Sequence, residues 1–230
     1  LGPPTRANWT GPLPGDAVAR AALGARDDGW RAGYGTVSDV LLWTAVSYPL
    51  VVDSALVSGA IQRDGRMAAQ SAALGMQSLA LAEFTSTLLK YVVARQRPPS
   101  DCPGPAFCTD KRYQSFPSGH TTMAFTGASF TCAVHEHADL YGATWADRAA
   151  CLGALGVAAA TGLCRIMSEN HYLSDVLAGA LIGVTAGYLV PKALHFDRSI
   201  GTDERVRTAP GALGVPRGPA APMVRYRFRF

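Results

Sequence analysis

Between residues 36 and 195 the chain is a succession of five apolar stretches, 37–60, 67–94, 121–134, 148–165 and 174–194, parted by short connections that carry charge, Gly or Pro. Each stretch is long enough for several helical turns, and none alternates with the two-residue period of a strand. The pattern predicts an all-α fold, a helical bundle of about five to six core helices. The last two stretches carry Gly153, Gly156, Gly162, Gly179, Gly183 and Gly187, small residues that let helix backbones approach closely.

A length of 230 residues suits one domain. Around it the sequence divides into an N-terminal polar segment, 1–35, the helical domain, 36–195, and a C-terminal tail, 196–230. The first segment is proline-rich and lacks the charged-then-apolar pattern of a leader, so an exported protein of this sequence would already have lost its signal. The tail is irregular and ends in Arg225-Tyr-Arg-Phe-Arg-Phe230, an alternation that suits a strand or an anchor at a membrane interface.

Apolar residues make up 48% of the chain and charged residues 17%, against roughly 25% charged in ordinary soluble domains. That balance predicts a membrane-associated or unusually helix-rich protein. Only 174–194 makes an uninterrupted span of about 20 residues. Stretch 37–60 contains Asp39 and Asp53, and stretch 67–94 contains Gln70, Gln77 and Glu83, which are costly against lipid. Integral and interfacial or soluble readings therefore both stay open. The net charge of +4 is modest, and many basic residues fall in the tail, so no basic stripe with interleaved aromatics marks a nucleic-acid partner.

Five cysteines contain no Cys-x-x-Cys pair, which argues against a metal centre. Cys102 and Cys108 bracket a short Pro- and Gly-containing loop that a disulfide could close in an oxidising compartment. Cys132, Cys151 and Cys164 lie in apolar stretches and read as buried small hydrophobes. His135-Glu136-His137 follows an apolar stretch and reads as a solvated helix end.

Three separated segments carry chemistry. Lys90 and Arg97 are seven residues apart near the end of the second stretch, on nearly one helical face, and Pro98 follows at once. A guanidinium fork and a mobile ammonium suit a phosphate. Ser118-Gly119-His120 opens the third stretch, where free backbone N–H groups at a helix start attract anions and Gly permits close approach. Arg165, His171 and Asp175 link the fourth and fifth stretches. The four-residue spacing of His171 and Asp175 lets a carboxylate fix one ring nitrogen and leave the other as a nucleophile.

Taken together, Lys-x6-Arg-Pro, Pro-Ser-Gly-His and Arg-x5-His-x3-Asp, in this order within a helical bundle, resemble the type 2 phosphatidic acid phosphatase superfamily. That superfamily includes lipid phosphatases, class A acid phosphatases and vanadium haloperoxidases. Cys164 stands where the family often has Ser before the third-motif arginine. The resemblance implies that His171 attacks phosphorus, oriented by Asp175, and that His120 protonates the leaving oxygen. It implies that Lys90, Arg97, Arg165, Ser118 and the Gly119 backbone hold the phosphoryl oxygens, with no metal or other cofactor and with vanadate or phosphate binding as site analogues. The expected activity is hydrolysis of a lipid phosphate monoester or diphosphate through a phosphohistidine. A soluble periplasmic acid phosphatase acting on small esters is the alternative, ahead of a vanadate-dependent haloperoxidase or a non-enzymatic lipid-binding protein. The expected location is a bacterial cell envelope, with the site on its outer side.

Overall fold

A computed structural model describes residues 4–98 and 112–196. Among these residues there are six helices and no sheet: α1 (Pro14–Leu23), α2 (Asp28–Ser47), α3 (Gly65–Val93), α4 (Gly119–Ala138), α5 (Thr144–Met167) and α6 (Leu173–Val184). α2 runs on through a wider π-helical segment, Tyr48–Ile61, and α6 continues with π-helical turns to Phe196. Side chains support the widened turns of the first segment, since Ser54 Oγ donates to the Pro49 carbonyl and Ser58 Oγ to that of Asp53, each five residues back. The Cys102–Cys108 pairing and the strand-like tail fall outside the described residues.

α4 is the central post, with fourteen of its twenty residues buried. Two of its threonines bond back along the helix: Thr122 and Thr126 donate to the carbonyls of Ser118 and Thr122. Small residues then bring neighbours onto it. A Cβ on Gly179, Gly183 or Gly187 of α6 and its extension would collide with the α4 backbone, so this stripe sets the α4–α6 distance. Gly153 and Gly156, by contrast, face open space. The far end of α4 from residue 119 packs Phe130, Ala133 and Val134 with Leu74 and Phe196.

Asp28–Ile61, Thr144–Met167 and Leu173–Phe196 are each long and apolar enough to cross a membrane. The first stretch therefore qualifies despite its two acidic residues; Asp53 is buried against His135, and Asp39 stands at the cavity wall beside His120. Large apolar side chains such as Trp43, Phe84, Leu152 and Leu181 point outward.

Two cysteine readings and one histidine reading change. Cys132 and Cys151 form a disulfide across the α4–α5 hairpin and are not isolated hydrophobes, because the two lie almost equidistant from the connection 139–143. Cys164 is free and buried as expected. His135 is not in a solvated helix end. It is buried between Asp53 and Asp147, and Tyr141 donates its hydroxyl to Asp53. Glu136 does face solvent, where it accepts from Lys192.

Candidate active site

α3 ends at Val93 because Ala94 turns into the left-handed region at φ 44°, its N–H still bonded to the Lys90 carbonyl. Lys90 thus sits in the last helical turn, while Arg97 lies beyond the helix on an extended segment rather than on its face. That segment is held from both sides: Gln96 N–H donates to the Trp9 carbonyl, and Arg97 N–H to that of Arg112. Arg97 Nη1 reaches the backbone and side-chain oxygens of Asn170, which brings the first and third motif segments together.

The second segment joins them at Gly119. A Cβ there would lie 2.5 Å from Lys90 Nζ, so only glycine leaves the ammonium its place. Lys90, Arg97, Gly119, His120, Arg165 and His171 all line one cavity of about 650 Å³, which α2 closes with Asp28, Arg31 and Asp39. Glu83 also lines it and accepts from Thr87 of its own helix. Ser118 and Asp175 do not reach this cavity. Ser118 is fully buried, its hydroxyl paired with Thr121 and its N–H donating to the Asp175 carbonyl.

His171 is buried in the 168–172 turn between α5 and α6, with Nδ1 2.7 Å from the Ser115 carbonyl. A carbonyl only accepts, so Nδ1 carries the proton and Nε2 keeps its lone pair. Asp175 Oδ2 stands 3.8 Å from Nδ1 and acts at one remove, since its oxygens accept from Ser115 Oγ, Tyr172 N–H and Arg95. Burial, and next the Arg97 charge, push the His171 imidazole down to about 3, so the ring is neutral at physiological pH. Burial also lowers Arg97 to about 10, which leaves it a cation. The site is therefore a neutral imidazole facing fixed positive charge, an arrangement that can hold a phosphoryl group against a nitrogen nucleophile.

Arg95, Asp16 and Asp39 were not among the residues expected at the site. Arg95 is fully buried, donates to Asp16 Oδ2 at 2.7 Å and Asp175 Oδ1 at 2.5 Å, and is stacked between Trp9 and Tyr172. Asp16 and Asp175 occupy the same place in their helices, each three residues past the cap and accepting the cap N–H. Burial raises the Asp16 carboxyl, but hydrogen bonds from Ser174 and Arg95 outweigh it and hold the group below its ordinary value. The only hint in the sequence was an Arg two residues before the motif arginine.

Residues 74–198 match the PAP2 superfamily. Over 77 residues, a third of this chain, the sequence is 39% identical to a lipid A 1-phosphatase of Porphyromonas gingivalis; the match spans 15% of that relative's length. The fold resembles the crystal structure of a transmembrane PAP2-type phosphatidylglycerolphosphate phosphatase from Bacillus subtilis, with a TM-score of 0.60, 18% identity, and 82% of this chain and 86% of that one covered. A second likeness is to Aquifex aeolicus LpxE, with a TM-score of 0.47, 20% identity, and 74% and 90% covered.

Proposed function

Since this chain belongs to the PAP2 superfamily, we propose that it hydrolyses a phosphate monoester or diphosphate on a lipid, through a phosphohistidine at His171. The observation that carries this reading is the convergence of Lys90, Arg97 and Arg165 on the cavity that holds His171. These fixed cations neutralise charge on the equatorial phosphoryl oxygens as it grows, without a metal. His171 Nε2 attacks phosphorus while Nδ1–H stays on the Ser115 carbonyl. His120 protonates the departing oxygen, and water then cleaves the P–N bond.

The lipid rests on the apolar spans, and two of the relatives named above are phosphatases of lipid phosphates. We place the protein in a bacterial envelope membrane with the site on the outer face. Trp30 at the cavity end and Trp145 at the other, both exposed, suit the two interfaces.

The test is phosphate release from lipid phosphates and from water-soluble esters, with and without detergent. Preference for the soluble esters would sink the lipid assignment. Acid-labile phosphate trapped on His171, lost in His171→Ala with all turnover, supports the covalent step, and full turnover by His171→Ala overturns it.

A further inference from the structure

His120 reaches the cavity from the second residue of α4, and its imidazole faces charge from three other helices: Asp39 of α2, Lys90 of α3 and Arg165 of α5. Only one of these touches it. Asp39 Oδ1 lies 2.7 Å from His120 Nε2 and 4.0 Å from Arg165 Nη1. Asp39 sits on α2, which supplies none of the three motif segments, 81 residues from His120, with its side chain more than half exposed at the cavity wall. A solvated carboxylate on an apolar helix has no structural need of an imidazole. Burial, and after it the Arg165 and Lys90 charges, lower the His120 imidazole to about 4, and the Asp39 carboxylate at hydrogen-bond distance opposes them.

We propose that Asp39 is the positioning residue for leaving-group protonation: it accepts from His120 Nε2–H, favours the charged imidazole over the neutral one, and turns Nδ1–H toward the departing oxygen. This rests on the phosphatase reading above. In the step it serves, a P–N bond forms to His171 Nε2 as the P–O bond to the alcohol breaks. The bonding pair leaves on oxygen, which takes the Nδ1 proton. His120 becomes neutral with Nε2–H still on Asp39. In the second half His120 Nδ1 takes a proton from the attacking water as the P–N bond breaks, and the imidazolium is restored.

General-acid help matters most for a poor leaving group and little for a good one. The test is kcat/KM, which ends at leaving-group departure, for a dialkylglycerol phosphate and for 4-nitrophenyl phosphate, with wild type, Asp39→Asn, Asp39→Ala and His120→Ala. Expected is a loss of about 100-fold on the alkyl ester against less than about threefold on the aryl ester for both Asp39 variants. His120→Ala should show the same selectivity, and adding Asp39→Asn to it should change nothing further. Equal losses on the two esters, a gain in rate, or additivity with His120→Ala overturns the proposal. A wild type that releases phosphate from neither ester, or a fully active His171→Ala, instead brings down the phosphatase reading on which it stands.

Discussion

Arg95 Nη1 lies 2.5 Å from Asp175 Oδ1, and neither side chain has any exposure to solvent. Removing one partner of such a pair leaves an uncompensated buried charge, at a cost of about 3–5 kcal/mol. Arg95→Met should therefore lower the thermal midpoint in detergent steeply and abolish turnover. Arg95→Lys should restore little, because an ammonium cannot bridge Asp16 and Asp175 or stack between Trp9 and Tyr172 as the planar fork does. Thermal unfolding followed together with phosphate release reads both effects.

His171 titrates at about 3 in the fold, against an ordinary 6.5. The unfolded chain therefore binds the proton first as pH falls, so the stability tied to the neutral ring is whole above the ordinary value and drains away between it and the folded one. Wild type should lose thermal midpoint over this range, and His171→Gln should lose less. The His171 ring in the fold stays neutral over most of this range. Trapping of phosphate on His171 should thus persist at about pH 5, and disappearance of the label while the protein remains folded would contradict the assignment.

At Gly119 the prediction separates binding from folding. A Cβ would strike the far end of a flexible lysine, not backbone, so Gly119→Ala should fold normally. It should displace the Lys90 ammonium and lower kcat/KM by about 10–100-fold, with inhibition by vanadate weakened in parallel. Unchanged vanadate inhibition would separate Gly119 from the anion site.

How much of this was legible before any coordinates? The motif segments were, because phosphate chemistry needs particular residue types at close spacing, and so was the bundle, from its long apolar stretches. Arg95, Asp16 and Asp39 were not. Their partners lie 79 to 81 residues away, and nothing periodic links such positions. Asp39 and Asp53 looked like penalties in a span because a one-dimensional pattern cannot say which acid faces lipid and which faces a histidine. The Cys132–Cys151 bridge was readable in principle from its symmetry about a short hairpin connection.

The buried cluster at the far end supplies a control. His135 lies fifteen residues beyond His120 on α4, about 22 Å along the axis. His135→Ala strands Asp53 and Asp147 together in the interior and should cost about 3–5 kcal/mol of stability. The kcat/KM of the protein that remains folded should stay within about twofold. A large change in the folded enzyme would reveal coupling along α4.

Asp16 accepts from both the backbone N–H and the hydroxyl of Ser174, 158 residues further along the chain. Biosynthesis gives that contact a timing. A ribosome releases residue 16 long before residue 174, so the Asp16–Arg95–Asp175 bridge can close only after the last helix has been laid against the first. Until then a partly assembled chain already displays Lys90, Arg97 and His120 but has no fixed Asp175 behind His171. Completion of the site is in this way deferred to the end of assembly, and a chain stalled before residue 174 holds only an unfinished cavity.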